Sequence, residues 1–260
     1  MTMVKRPSDN SPLDKIPKRL NTHIVGRSIL YYSSLPSTMD IARKMAREGV
    51  SEGTVIVAGE QTSGRGRMGR TWYSTPGSSI SLSAILRPDV SQLPQLNMAA
   101  GLAIVRTIQK LTPLKPAVKW PNDILINGKK VSGILVENIF DGSRIRASIV
   151  GIGLNVSLDV SSFQDISDIA TSLSYEAGRE LLPGQVLPTI LKEFDRAYGE
   201  LQAGQNIHQK WLAHVETVGR VVRVKSGDSV EEGLAESIDA DGRLWLRRSD
   251  GSLVSMVTGE

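Results

Sequence analysis

At 260 residues the chain can bury a full core, as one large domain or as one large and one small. Hydrophobic residues make up 40% and charged residues 22% of it, no apolar run reaches the ~18 residues that cross a bilayer, and the N-terminus lacks a signal-peptide core. A cytoplasmic protein without a membrane partner is therefore expected, and zero Cys excludes disulfides, thiolate metal sites and thioester intermediates, so an acyl group activated here must be held non-covalently or on another nucleophile.

The net charge of +4 is concentrated at the start: Lys5, Arg6, Lys15, Lys18 and Arg19 against Asp9 and Asp14 give residues 1–20 a net +3. The folded body is nearly neutral, and residues 1–26 read as a disordered, solvated basic tail, with tail-mediated nucleic-acid binding as the alternative. Ser28–Tyr32 reads as a strand, and Ser37-Thr38 opens a helix with Asp40 near the capping-box position, Ile41, Ala42, Met45 and Ala46 inside and Gly49 as its stop. Val55–Ala58 and Ser79–Leu86 are strands. The second alternates, which predicts one buried and one exposed face. A mostly apolar helix over about 93–111 should lie on the sheet. Asn127-Gly128 between apolar runs signals a two-residue hairpin of type I′, which sets Ile126 opposite Lys129, Leu125 opposite Lys130 and Asp123 opposite Ser132. Asp123 and Lys130 then share a face. Strands near 134–139 and 145–150 and helices near 186–201 and 207–215 follow. From about 218 short strands with turns at Ser226-Gly227-Asp228, Asp239–Gly242 and Ser249-Asp250-Gly251 make a small all-β module.

Between the second and third strands lies Gly64-Arg65-Gly66-Arg67-Met68-Gly69-Arg70-Thr71-Trp72, with three glycines and three arginines in nine residues. Glycine allows close backbone approach and arginine offers a fixed fork of donors, so the loop suits a phosphate or carboxylate. It is not a P-loop, and its formal G-x-G-x-x-G lacks the strand-to-helix setting of a dinucleotide turn.

Downstream come Lys119-Trp120-Pro121-Asn122-Asp123-Ile124, Gly133-Ile134-Leu135-Val136-Glu137 and Gly151-Ile152-Gly153-Leu154-Asn155-Val156. With the glycine–arginine loop, this set resembles the biotin protein ligases in order and spacing over roughly 27–215, and 218–260 resembles their small C-terminal domain. The resemblance implies an α+β fold: a class II aminoacyl-tRNA-synthetase-like mixed sheet with packed helices, plus an SH3-like barrel. It implies that biotin and MgATP give biotinyl-5′-AMP, and that a lysine of a biotin carboxyl carrier domain, as of acetyl-CoA carboxylase, takes the biotinyl group. Two dozen residues before the first strand are too few for the helix-turn-helix of the repressor-type members, so a monofunctional ligase without specific DNA binding is expected. The assembly state is left open, a homodimer included.

By position, Ser37, Thr38, Gln61, Arg65, Gly66, Arg67 and Lys130 fall where the family binds biotin, with Gly133 and Leu135 as the apolar wall. Arg67 and Lys130 are the implied catalytic cations, and Lys130 without the motifs around it would read as a solvated hairpin lysine. Arg67, Trp72, Lys119, Asn122, Lys130 and Asn155 fall on the ATP side. Asp123 either orients the carrier lysine, binds Mg²⁺ or caps a turn; Trp72 touches the nucleotide or simply packs; Asn155 reaches phosphate or ribose, or sits in a left-handed turn. His23, His208 and His214 share no motif and read as structural. Met39 stands where family members commonly carry Asn after Ser-Thr, and a thioether cannot donate to a ureido ring as an amide can. Lipoate-protein ligase is the runner-up among enzymes.

Overall fold

The structure, a computed structural model, describes residues 3–5 and 20–259. Most of the expected tail, residues 6–19, lies outside them. Residues 3–5 form a short strand, β1 (Met3–Lys5), in parallel register with β2 (Ser28–Tyr32). Residues 20–26, assigned to the tail from composition, are packed instead: Leu20 and Val25 are buried. The backbone N–H groups of His23, Ile24 and Val25 donate to the Asp195 carboxylate at 2.7, 2.7 and 2.8 Å. Local composition misses this because the partner lies about 170 residues downstream.

β3 (Thr54–Ala58), β4 (Ser79–Leu86), β5 (Ala117–Lys119), β6 (Asp123–Ile126), β7 (Lys129–Asp141) and β8 (Arg144–Asn155) complete a mixed eight-stranded sheet in the order β1-β2-β3-β4-β8-β7-β6-β5. The first three strands are parallel and the rest antiparallel. Parallel neighbours need a crossover, which α1 (Thr38–Arg47) supplies between β2 and β3. β4 departs from its predicted half-exposure, since all eight residues are buried. Its even positions, Ile80, Leu82, Ala84 and Leu86, join the main core with α2 (Leu96–Leu111), while Ile85 joins a smaller cluster with Met39 and Ala42 of α1. Both faces are covered, and the serines at 79, 81 and 83 share the α1 side because side chains alternate.

The Asn127-Gly128 turn has positive φ at both residues, 50° and 79°, as type I′ requires. Ile126 pairs with Lys129 and Leu125 with Lys130, but a bulge between Ile124 and Leu125 then shifts the register, so Ile124 meets Ser132 and Asp123 meets Gly133 rather than Ser132. A bulge inserts one residue on one strand, which hairpin counting from the turn cannot foresee. The predicted box on α1 is also absent. Ser37 makes no side-chain cap, and Asp40 spends its carboxylate on Arg43 and Arg65.

After β8 come α3 (Leu173–Ala177), α4 (Pro183–Gln202) and α5 (Ile207–Leu212). The C-terminal module is a separate four-stranded antiparallel sheet of β9 (Val221–Ser226), β10 (Ser229–Ile238), β11 (Leu244–Arg247) and β12 (Leu253–Met256). It shares the main core through Val224, Leu244 and Met256, and Trp120 Nε1 donates to the Gly242 carbonyl at 2.8 Å. Among the described residues no helix is long and apolar enough to cross a membrane.

Candidate active site

On the α1 side of the sheet lies a cavity of about 370 Å³, and all fourteen residues singled out from the sequence line it: Ser37, Thr38, Gln61, Arg65, Gly66, Arg67, Trp72, Lys119, Asn122, Asp123, Lys130, Gly133, Leu135 and Asn155. They come from four strands, one helix and three loops, so it is the fold that gathers them. None of the three histidines lines it.

The floor consists of glycines on β7 and β8, and their lack of side chains is what makes room. A Cβ on Gly153 would run into the Trp72 indole, and one on Gly151 would lie 2.6 Å from Met39 Sδ. Trp72 thus lies flat on β8, with Lys130 Nζ 5.8 Å from its ring centroid. Met39 is buried against β8, so the position expected to hold an amide presents an apolar wall.

The buried end is neutral. Thr38 donates through both its backbone N–H and its hydroxyl to Gln61 Oε1, at 2.8 and 3.1 Å, and its hydroxyl accepts from Ser83 at 2.8 Å. The mouth is cationic. The glycine–arginine loop closes on itself as a small hairpin, with Gly66 N–H bonded to the Arg70 carbonyl at 2.7 Å and Trp72 N–H to the Gly64 carbonyl at 2.9 Å. At its tip Met68 adopts φ 54°. Side chains then fix the loop from three directions: Arg65 donates to Asp40, while Arg67 donates to Asn122 Oδ1 at 2.9 Å and to Thr258 of the C-terminal module. Burial pushes the Asp40 carboxyl up, but the hydrogen bonds and charges of Arg65 and Arg43 outweigh it and hold the group below the ordinary carboxylate range.

Lys130 Nζ sits 2.7 Å from Asp123 Oδ1, an ion pair. Asp123 therefore faces the lysine instead of capping a turn. Asn155 has no positive φ, which removes the left-handed-turn reading; its Nδ2 donates to the Thr171 carbonyl at 3.1 Å and its Oδ1 is buried without a partner. Among the described residues six buried side-chain polar atoms lack a hydrogen-bond partner; Asp123 Oδ1 is ion-paired with Lys130, and three of the other five, Trp72 Nε1, Ser81 Oγ and Asn155 Oδ1, line this cavity. Buried polar groups are otherwise nearly always paired, so their concentration here marks a surface built to meet a polar ligand.

Comparison with known proteins fits this arrangement. Residues 31–155 match the model of the biotin/lipoate A/B protein ligase family, and residues 217–260 that of the biotin protein ligase C-terminal domain. The chain is 37% identical to the bifunctional ligase/repressor BirA of Bacillus subtilis over 96% of its own length and 78% of that protein's. It belongs to the biotin protein ligase family. The family's biotin–[acetyl-CoA-carboxylase] ligase from Paracoccus denitrificans is 33% identical over 84% of this chain and 93% of that one. A solved biotin protein ligase from Aquifex aeolicus, in complex with biotin and ATP, superposes with a TM-score of 0.75 at 28% identity, covering 89% of this chain and 96% of that chain.

Several lining residues of this family member escaped the sequence reading. Ser81 on β4 and Ile166, Asp168 and Ile169 after β8 carry no motif. The 166–170 segment is drawn in because Lys130 N–H donates to the Ile169 carbonyl and Thr171 N–H to the Lys130 carbonyl, at 2.8 and 2.9 Å. Tyr73 adds a tie between the two loops, donating to Asp165 at 2.8 Å beside Phe163, with ring centroids 4.9 Å apart. Only the alternation of serines on β4 offered a signal in the sequence.

Proposed function

We infer that this protein is an ATP-dependent biotin ligase, which forms biotinyl-5′-AMP from biotin and ATP and passes the biotinyl group to a lysine of a biotin carboxyl carrier domain, as of acetyl-CoA carboxylase. The observation that carries the reading is one cavity with a neutral buried end and a cationic mouth. A bicyclic ureido ring suits the first, and a carboxylate beside a triphosphate suits the second.

In the first half-reaction a biotin carboxylate oxygen bonds to the α-phosphorus while the bond to the β-phosphate oxygen breaks and pyrophosphate leaves. A carboxylate is already a nucleophile, so the protein needs only to align the reactants and to neutralise charge on the phosphate oxygens. Arg67 and Lys130 are the cations we assign to that task, with Arg65 on the biotin carboxylate and Lys119, Asn122, Trp72 and Asn155 on the nucleotide side. In the second, the carrier lysine attacks the anhydride carbonyl and AMP leaves. Asp123, beside Lys130, is our candidate for orienting that amine. The absence of Cys accords with an anhydride held non-covalently.

Mg²⁺ fits as a companion of ATP rather than a resident ion. Among the described residues no group of three His, Cys, Asp or Glu side chains could hold a metal, and Asp123 is ion-paired. One or two carboxylates with substrate phosphates are a usual Mg²⁺ arrangement, and the ion would add charge neutralisation on the phosphates. We read the main sheet as class II synthetase-like and the C-terminal sheet as SH3-like. The cytoplasm, where ATP and carboxylases meet, is the compartment we assign.

The deciding test is ATP–pyrophosphate exchange dependent on biotin, followed by labelling of a purified carrier domain, with lipoate and duplex DNA as parallel arms. Exchange with biotin alone is expected. Exchange with lipoate and none with biotin would overturn the reading.

A further inference from the structure

Ser81 is 3% exposed, lines the cavity, and its hydroxyl has no hydrogen-bond partner. Its neighbours along the same face of β4 do better: Ser83 donates to Thr38 at 2.8 Å, and Ser79 lies 3.4 Å from the Ser78 hydroxyl. A β4 serine here can therefore be satisfied within the fold, and Ser81 alone is not. It stands between Gly153, its partner on β8, and Ala58, its partner on β3. That places it between Trp72, lying on Gly153, and the Thr38–Ser83 pair.

The rest of the buried end makes the open hydroxyl more telling. The Thr38 hydroxyl already donates to Gln61 and accepts from Ser83, and Gln61 Oε1 already takes two hydrogen bonds from Thr38. Met39 adds only a thioether, a weak acceptor that cannot donate. A ureido ring, with two N–H donors and one carbonyl acceptor, needs a full set of neutral partners, and among the described residues Ser81 carries the fully buried hydroxyl at this end that no bond within the fold uses.

Resting on the ligase reading above, we propose that Ser81 is a specificity-determining residue, whose hydroxyl hydrogen-bonds the ureido head of biotin and supplies a polar contact that Met39 does not. In the empty protein this hydroxyl is a buried polar group without a partner, which costs stability, and ligand binding removes that cost. A purely structural serine would show the opposite signature. Its removal would lower the stability of the empty protein and leave ligand affinity alone.

The test compares the full chain with its Ser81→Ala variant by thermal melting without ligand and by titration calorimetry with biotin, desthiobiotin and ATP. The variant is expected to melt at the same temperature as the parent or higher, and to bind biotin about tenfold more weakly, as for one lost neutral hydrogen bond. Desthiobiotin, which keeps the ureido ring and lacks the ring sulfur, should lose the same factor, and ATP affinity should stay unchanged. Unaltered biotin affinity, a lower melting temperature without ligand, or a loss confined to ATP would each overturn the proposal. A parent protein that binds no biotin would instead overturn the ligase reading on which it rests.

Discussion

Ser37, Thr38, Met39 and Ser81 line the buried end of the cavity without a single charge, whereas Arg65, Lys119 and Lys130 carry cations to its mouth. The two ends solve different problems. A neutral ring moved from water into the protein must find its hydrogen bonds again, so in the function we propose the buried end works by fit and sets affinity. Charge that grows during a reaction is met best by cations already in place, so we assign the rate to the electrostatics of the mouth.

The sharpest way to break this contrast is to remove a mouth cation. Arg67→Ala and Lys130→Ala are each expected to slow biotin-dependent pyrophosphate exchange by about 10²–10³, the usual result of losing one preorganised contact worth about 3–4 kcal/mol in the transition state. Biotin affinity, measured on the same preparations by calorimetry, should move only a few-fold. Near-normal exchange in both variants would show that the mouth does not set the rate.

A smaller effect is expected from filling the floor. Gly153→Ala places a methyl group against the rigid Trp72 indole, whereas Gly151→Ala meets the flexible thioether of Met39. Overpacking at a rigid neighbour costs about 1–3 kcal/mol, so Gly153→Ala should weaken ligand binding by about fivefold or more and shift tryptophan emission. Gly151→Ala should do less, because Met39 can change rotamer. If Gly153→Ala binds biotin normally with unchanged emission, Trp72 does not rest on β8 in solution.

How legible each end was from sequence follows from the same contrast. The mouth announces itself, because arginines among glycines and a lysine two residues past an Asn-Gly turn are local patterns, and the type I′ turn alone puts Lys130 near Asp123. The bulge that moves Asp123 opposite Gly133 was not legible, since a register shift depends on packing across the sheet. The buried end hides for a different reason. Ser81 gains meaning only when β3, β8 and Trp72 surround it, and Met39 was not counted in the α1 interior, although it is buried in one cluster with Ala42 and Ala46, against which Ile41 and Met45 also pack. The packing of residues 20–26 on Asp195 is long-range in the same sense.

The smallest expected effect lies where the ends meet. Asp40, two residues beyond Thr38, accepts from Arg65 of the loop and from Arg43, which is also held by Glu137. This latch is half-exposed, and exposed ion pairs contribute about 0–1 kcal/mol, so Asp40→Asn should change biotin affinity by at most about fivefold. Its signature should lie in dynamics. Backbone amides of residues 63–70 should exchange faster than in the parent when no ligand is bound, and should reach parental protection with biotin and ATP present, because the ligand's own carboxylate and phosphates replace the lost partner. The pH dependence follows from the depressed Asp40 pKa: the latch is complete above the ordinary carboxylate range and is lost only as pH falls through the lower folded value. Biotin affinity between about pH 6 and 8 should therefore be as flat in the parent as in Asp40→Asn. Equal exchange of the unliganded loops in the two proteins would show that the hairpin bonds and the Arg67 contacts hold the loop unaided, and that the neutral end and the mouth act independently.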